Sequence, residues 1–107
     1  MNENQWRADV IRLARATGWA CWYTHFSPYS TPGWPDLALA RPPVLLLAEL
    51  KTERGKLRDE QVTAGDLLAR CDRLEYHLWR PSDEDEVIAT LRAGRPGADQ
   101  MRLGGLA

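Results

Sequence analysis

The sequence predicts a small α/β domain in which a mixed β-sheet is flanked by helices, in the chain order α-β-β-β-α-β-α. Helical periodicity at residues 2–16, 59–72 and 82–93 alternates with strand-like apolar runs at residues 19–26, 36–41, 44–51 and 75–80. The length of 107 residues, 44% of them hydrophobic and 27% charged, suits one domain with one core. We expect residues 1–93 to form this domain and residues 94–107, which are rich in glycine, to form a flexible tail.

The first helix carries a clear periodic pattern. Asn2 and Gln5 predict a capped N-terminus, and Gly18 suits the end of the helix. Four apolar residues share one stripe: Trp6, Val10, Leu13 and Ala14. The run at residues 44–48 is apolar on both faces, which predicts a central strand with helices on both sides.

The helix at residues 59–72 is less regular. We expect four of its side chains to face inward: Val62, Leu67, Leu68 and Cys71. Arg58 precedes it and offers no side-chain acceptor, which costs the start of a helix roughly 0.5–2 kcal/mol. The last helix is predicted to begin in an acidic cluster at residues 82–85, where negative charge complements the helix dipole.

The bulk properties restrict the location and the partners of the protein. The sequence has neither an apolar run of the ~18 residues that span a bilayer nor the pattern of a signal peptide at its start. Cys21 and Cys71 form no C-x-x-C pair and are expected to be buried free thiols in a reducing compartment. We therefore expect a cytoplasmic protein. The net charge of −1 gives no overall basic field for nucleic acid, but Arg54, Lys56 and Arg58 form a local basic cluster.

The pair Pro42-Pro43 predicts where two strands meet. A central strand does not tolerate proline, so the chain folds back there as an antiparallel hairpin. A turn centred between the prolines places Asp36 opposite Glu49, with Cβ atoms roughly 4.5–5.5 Å apart. Lys51 shares the face of Glu49 because strand side chains alternate. The prediction depends on this register, which a one-residue asymmetry of the loop would break.

Two adjacent carboxylates indicate a site for a divalent cation. They repel each other unless positive charge lies between them, and Mg²⁺ prefers oxygen ligands, often one or two carboxylates with water and phosphate. A lysine beside such a site can orient or deprotonate a water, or stabilise charge at a phosphate. The alternative is that Asp36 and Glu49 are polar strand ends, but placing two acids and a lysine together at the end of a buried sheet is costly.

The ordered set of motifs resembles the VRR-Nuc family of PD-(D/E)XK nucleases, in its small stand-alone form typical of phages and bacteria. Pro35-Asp36 and Glu49-Leu50-Lys51 match the nuclease signature. The narrower resemblance rests on the surrounding segments, which are residues 30–37, 48–52 and 55–57, Glu60-Gln61 and residues 79–83. It covers residues 3–92 and implies a restriction-endonuclease-like fold.

The resemblance also implies roles for individual residues. Asp36, Glu49 and the Leu50 carbonyl would bind Mg²⁺ or Mn²⁺, with Gln61 nearby. Lys51 would orient the attacking water. An acid on the first helix would point toward the metal, and we favour Glu3 over Asp9. His25, just before the loop at residues 27–33, and Tyr29 within it would lie near the DNA. For the histidine, a structural hydrogen bond is the simpler interpretation. An arginine that the family often carries in this loop is missing here.

We therefore predict a Mg²⁺- or Mn²⁺-dependent endonuclease that hydrolyses DNA phosphodiesters. Arg54, Lys56 and Arg58 would hold backbone phosphates without reading bases. Small relatives resemble Holliday-junction resolvases and act as homodimers, so branched DNA is the expected substrate. The alternatives are a phage nickase or general DNase with little structure preference, and a non-catalytic DNA-binding or packaging accessory. A purely structural protein, in which Glu49 and Lys51 form a surface ion pair worth ~0–1 kcal/mol, is a third possibility.

Overall fold

A four-stranded mixed sheet with helices on both faces forms the protein, seen in a computed structural model that describes residues 1–24 and 31–93. In chain order the elements are α1 (Glu3–Ala16), β1 (Ala20–Tyr23), β2 (Leu37–Arg41), β3 (Val44–Leu50), α2 (Asp59–Ala69), β4 (Glu75–Trp79), a 3₁₀ turn (Pro81–Asp83) and α3 (Glu84–Ala93). This order confirms the predicted fold class. Within the described ranges, no helix combines the length and the apolar character needed to cross a bilayer.

The sheet has the strand order β1-β2-β3-β4. The pairs β1–β2 and β2–β3 are antiparallel, and β3–β4 is parallel, so the sheet is mixed as predicted. Leu37 pairs with Ala48 and Arg41 pairs with Val44. This is the register expected for a turn centred on Pro42-Pro43, and it confirms the hairpin. Strand β3 is central and almost wholly buried because its apolar residues supply both faces.

One face of the sheet, the core face, packs against α1 and α3. Its buried side chains are Leu37 and Leu39 of β2, Val44, Leu46, Ala48 and Leu50 of β3, and Trp79 of β4. The predicted stripe of α1 meets them, with Trp6, Val10 and Ala14 fully buried and Leu13 partly buried. The indole Nε1 of Trp6 donates to the carbonyl of Trp79 at 3.0 Å, which fixes the start of α1 against the end of β4.

Both ends of α1 follow the prediction. Asn2 and Gln5 form a reciprocal capping box, with two bonds of 2.8 Å. Gly18 follows the helix at φ +91°, a backbone conformation that glycine adopts at little cost. Sequence patterns therefore determined this helix completely, including its termini.

Helix α2 lies on the opposite face, which we call the site face. Three of its four predicted inward residues were wrong, while Leu68 is half-buried. Val62 and Leu67 are 43% and 55% exposed, and Cys71 is exposed beyond the end of the helix at Ala69. The buried residues are Gln61 and Gly65. A Cβ atom on Gly65 would lie 2.8 Å from the hydroxyl of Tyr76, so α2 sits too close to β4 for a larger side chain there. The contact with the sheet, and not an apolar stripe, sets the orientation of α2.

Two smaller expectations also differ. The first strand covers Ala20–Tyr23 instead of residues 19–26, and residues 25–30 lie outside the described part of the chain. The thiol of Cys71 is exposed, contrary to the expected burial, and Cys21 is partly buried. The proposed tail, residues 94–107, also lies outside the described residues.

Candidate active site

Asp36 and Glu49 meet at the open end of the β2–β3 hairpin. The last ladder pair is Leu37 with Ala48, so the next step along both strands brings the two acids opposite each other. Asp36 Oδ2 accepts a hydrogen bond of 2.9 Å from the backbone N–H of Leu50. Its own carbonyl accepts from the N–H of Thr24 at 2.9 Å. The main-chain N–H groups of Thr24, just after β1, and of Leu50 in β3 therefore hold Asp36 in place.

Glu49 is buried and only partly compensated. It is 2% exposed, and its Oε2 accepts a hydrogen bond of 2.9 Å from Gln61 Nε2. Its Oε1 has no hydrogen-bond partner among the described residues. Burial first, then the charge of Asp36, raises the pKa of Glu49 from 4.5 to about 8. The Lys51 charge opposes this rise and the Glu3 charge adds to it. The carboxyl of Glu49 therefore ionises less readily than an ordinary glutamate.

The unpartnered oxygen fits a bound cation. Two carboxylates with one buried, unsatisfied oxygen are hard donors of the kind that Mg²⁺ and Mn²⁺ take. No group of three or more His, Cys, Asp or Glu side chains that suits a metal occurs in residues 1–24 and 31–93. Any cation here would thus complete its shell with backbone oxygen, water or phosphate, and the Leu50 carbonyl remains the predicted backbone ligand.

Gln61 connects the start of α2 to the acid pair. Its side-chain oxygen accepts from the backbone N–H of Arg58 at 2.8 Å, and its amide NH₂ donates to Glu49. The side chain is buried, at 7% exposure, although it lies in the first turn of a helix whose neighbouring residues are exposed. The Arg58 N–H thus finds its partner in Gln61, three residues further along the chain.

The charges of Lys51 and Glu3 act on the pair: that of Lys51 lowers the pKa of Glu49, and that of Glu3 raises it. Lys51 follows β3 directly, and its backbone N–H donates to the Trp79 carbonyl at 3.1 Å. Glu3 stands in the first turn of α1. Asp9, the other acid considered on this helix, instead pairs with Arg12 at 3.0 Å on the surface. Strand register and a hydrogen bond therefore bring together Asp36, Glu49 and Gln61, and the charges of Lys51 and Glu3 act on Glu49.

Gly33 explains part of the Gly-Trp-Pro-Asp segment. It adopts φ +98°, and a Cβ atom there would lie 2.4 Å from the backbone oxygen of Glu60. Pro35 is fully buried, directly before Asp36. The loop therefore packs backbone to backbone against the first turn of α2, next to Gln61, and no other residue type fits at position 33 without moving the helix.

The predicted phosphate contacts lie on the loop at residues 52–58, which we call the basic loop. Arg54, Lys56 and Arg58 are exposed there. Arg80 holds the loop by donating to the carbonyls of Thr52, Gly55 and Glu53 at 2.5, 2.7 and 3.3 Å. The remaining two predicted contacts, His25 and Tyr29, lie outside the described residues.

Sequence reasoning assigned no role to Arg80 or Tyr76. Arg80 directly follows β4, and an arginine after a strand was the available signal. Burial first, then the charges of Glu49 and Asp36, raises the pKa of Tyr76 to about 12. The tyrosine therefore stays neutral beside the acid pair and under α2. Nothing in its strand pattern indicated this position.

The fold has a solved counterpart. The structure of Hjc, a Holliday junction resolvase from the archaeal hyperthermophile Archaeoglobus fulgidus, matches 73% of this chain and 69% of its own, with a TM-score of 0.53 and 18% sequence identity. The fold is restriction-endonuclease-like. No family model and no curated protein matches the sequence. The likeness therefore concerns the fold, and it does not reach the narrower VRR-Nuc family.

Proposed function

We propose that this protein is a divalent-metal-dependent endonuclease that hydrolyses phosphodiester bonds of branched DNA. The observation that carries the proposal is the buried Glu49 carboxyl, which lies opposite Asp36 and has one oxygen without a partner among the described residues. A buried carboxyl in this state lowers stability unless a cation compensates it, and such arrangements are concentrated at functional sites.

In this proposal each side chain has a separate task. Asp36 and Glu49 would hold Mg²⁺ or Mn²⁺ together with the Leu50 carbonyl. When bound, such a cation polarises a phosphate and lowers the pKa of water. Lys51 would orient the attacking water and stabilise the charge that develops at the phosphate. Gln61 would keep Glu49 oriented, and Glu3 would add negative charge beside the pair.

The basic loop would supply binding without sequence selectivity, because its side chains suit backbone phosphates. Branched DNA is proposed because the fold matches that of a resolvase. We further propose a homodimer, since a two-fold axis would present two sites to two strands. The narrower VRR-Nuc assignment belongs to the same proposal and rests on the motifs alone.

The test is cleavage of a labelled four-way junction beside a linear duplex of the same sequence, each with Mg²⁺, with Mn²⁺ and with chelator. Lys51→Ala is purified in parallel, and Asp72→Asn, an exposed acid after α2, controls for handling. The proposal expects metal-dependent cleavage of the junction that Lys51→Ala abolishes and Asp72→Asn retains.

Three other outcomes would change the conclusion. Equal cleavage of both substrates would support a nuclease without a preference for junctions, that is, a nickase or general DNase. Cleavage that Lys51→Ala retains would identify a contaminant. Binding of DNA without cleavage under either metal would favour an accessory DNA-binding role.

A further inference from the structure

An exposed tryptophan stands on the site face beside the acid pair. Trp22 of β1 pairs with Ala38 of β2, which pairs with Leu47 of β3. Because strand side chains alternate, these three residues form the row next to the one that holds Asp36 and Glu49. Asp36 is the diagonal neighbour of Trp22, at roughly 7–8 Å between backbones, which a tryptophan side chain can span.

The surface around this indole is shallow and open. Next to Trp22 the site face carries three small side chains, Ala20, Ala38 and Ala40, and we call this surface with Trp22 the alanine shelf. On the same face, helix α2 packs over β4 at the opposite edge of the sheet, through Gly65 and Tyr76. On the β1–β2 half of this face Ala20 and Trp22 are exposed, and Ala38 and Ala40 are half-buried.

Burial separates Trp22 from the tryptophans of the core. Trp6, Trp19 and Trp79 are 0, 3 and 1% exposed, whereas Trp22 is 57% exposed. Single exposed apolar side chains are common on protein surfaces. What distinguishes Trp22 is its position in the row next to Asp36 and Glu49.

The order of features on the site face suggests what binds there. Along β3, Lys51 and the basic loop lie on one side of Glu49, and the row of Trp22 lies on the other. A nucleic-acid strand that crosses this face meets basic side chains, then the acid pair, then an indole. Phosphates suit the first, and the flat face of a base suits the last.

We propose that Trp22 is a stacking platform for an unpaired nucleobase next to the phosphate that a cation at Asp36 and Glu49 would bind. This inference rests on the proposed nuclease function and specifies its substrate. In a duplex each base is stacked between its neighbours, so an indole reaches the face of a base that has left the stack. The substrate is therefore DNA with an unpaired nucleotide beside the scissile bond, as at a branch point or bulge.

A protein partner on the shelf is less favoured by the same geometry. The shelf is continuous with the acid row, so a protein surface seated on Trp22 would cover Asp36 and block the entry of a phosphate. A nucleotide seated there brings the phosphate to the acids instead.

The experiment measures binding of a labelled duplex and of the same duplex with one unpaired nucleotide. Fluorescence anisotropy is recorded with Ca²⁺, which takes oxygen ligands, and gels check that the DNA stays intact. The proteins are the wild type, Trp22→Ala, Trp22→Tyr, and Leu67→Ala as a control for loss of an exposed apolar side chain. Circular dichroism confirms that each variant is folded, and sedimentation gives its oligomeric state.

Trp22→Ala is expected to weaken binding of the DNA with the unpaired nucleotide by about tenfold and to leave duplex binding unchanged. Trp22→Tyr keeps an aromatic face and should retain most of the affinity, and Leu67→Ala should behave as the wild type. An equal loss of affinity for both DNAs, or no loss, overturns the stacking proposal. The proposed nuclease function still stands in that case if the wild type binds and cleaves DNA. If Trp22→Ala changes the oligomeric state but not the affinity for DNA, the proposal is also overturned. The alanine shelf would then bind a second copy of this chain. A wild type that binds neither DNA overturns this proposal and the proposed function together.

Discussion

At the scale of single residues, Glu49 is the most consequential side chain. It occupies the central strand, where the surrounding residues are apolar, and it keeps one oxygen without a partner among the described residues. A carboxyl in this environment is held neutral by burial and by the adjacent Asp36. The residue therefore costs stability when it ionises, and the proposed cation would offset that cost.

This leads to a prediction about pH. The folded-state pKa of Glu49, about 8, lies above its ordinary value of 4.5, so its contribution to stability is full below pH 4.5 and is lost as the pH rises through 8. In chelator, Glu49→Gln should therefore match the wild type at pH 4.5 and melt at a higher temperature at pH 8.5. Each 1 kcal/mol corresponds to roughly 4–8 °C in a domain of this size.

Thermal melts of both proteins across this pH range make the comparison, with Asp72→Asn as the control for loss of an exposed carboxyl. Adding Mn²⁺ at pH 8.5 should raise the melting temperature of the wild type and not that of Glu49→Gln. A difference in melting temperature that does not vary with pH would contradict the burial argument.

Gln61 gives the second prediction at this scale. Gln61→Ala removes the bond to the Arg58 N–H and leaves Glu49 Oε2 without its donor, so a loss of about 1–3 kcal/mol in the free energy of unfolding is expected. Gln5→Ala is the matched control, because Gln5 makes the same backward bond at α1 and no contact with Glu49. Urea unfolding should show a larger loss for Gln61→Ala, and equal losses would mean that the Glu49 bond contributes nothing.

At the scale of secondary-structure elements, the position of α2 relative to the sheet determines the site. Two close approaches set it, one between Gly65 and Tyr76 and the other between Gly33 and the backbone of Glu60. Both depend on the absence of a side chain. The helix therefore carries Gln61 to Glu49 while its own apolar residues Val62 and Leu67 face water.

Substitution of Gly33 tests this arrangement. Gly33→Ala introduces strain at φ +98° and a Cβ atom 2.4 Å from the Glu60 oxygen, so α2 must move away from the acid pair. Gly18→Ala carries similar strain at φ +91° but meets only Arg41 Cδ at 3.6 Å. Both should lose about 1–3 kcal/mol from backbone strain, and Gly33→Ala should lose more and also lose cleavage activity. Activity retained in Gly33→Ala would show that the site tolerates a displaced helix.

Arg80 allows a test of the basic loop. Arg80→Ala removes the donor to three loop carbonyls, so the loop should open and trypsin should cut faster after Arg54 and Lys56. Arg41→Ala is the control, since Arg41 donates to the Thr17 carbonyl at the other end of the sheet. Mass spectrometry of timed digests gives the cleavage sites, and unchanged rates in Arg80→Ala would refute this role.

At the scale of the whole molecule, the charge is nearly balanced, at −1, so any affinity for DNA must come from a local cluster. Replacing Arg54, Lys56 or Arg58 by Gln should each lower the slope of log K against log salt by about 1. Arg12→Gln, on the exposed side of α1, should leave the slope unchanged. Titrations at several salt concentrations measure this slope. If all four variants have the wild-type slope, the DNA does not contact the basic loop.

The sequence alone determined most of the architecture. The order of elements, α1 with its caps, the central strand and the Pro42-Pro43 hairpin all follow from local patterns, because periodicity, capping and turn chemistry act over a few residues. The hairpin register then placed Asp36 opposite Glu49, since a symmetric turn leaves one way to pair the strands. Local sequence patterns predict this pair because both residues lie on one hairpin.

Tertiary structure alone decided the face of α2, the burial of Gln61, the contacts of Arg80 and Tyr76, and the exposure of Trp22. Each depends on contacts between segments distant in the sequence, and no periodic pattern records such contacts. Gly65 and Gly33 show the physical reason, because each allows its backbone to approach a neighbouring element closely. The sequence shows the glycine but not the element that it contacts.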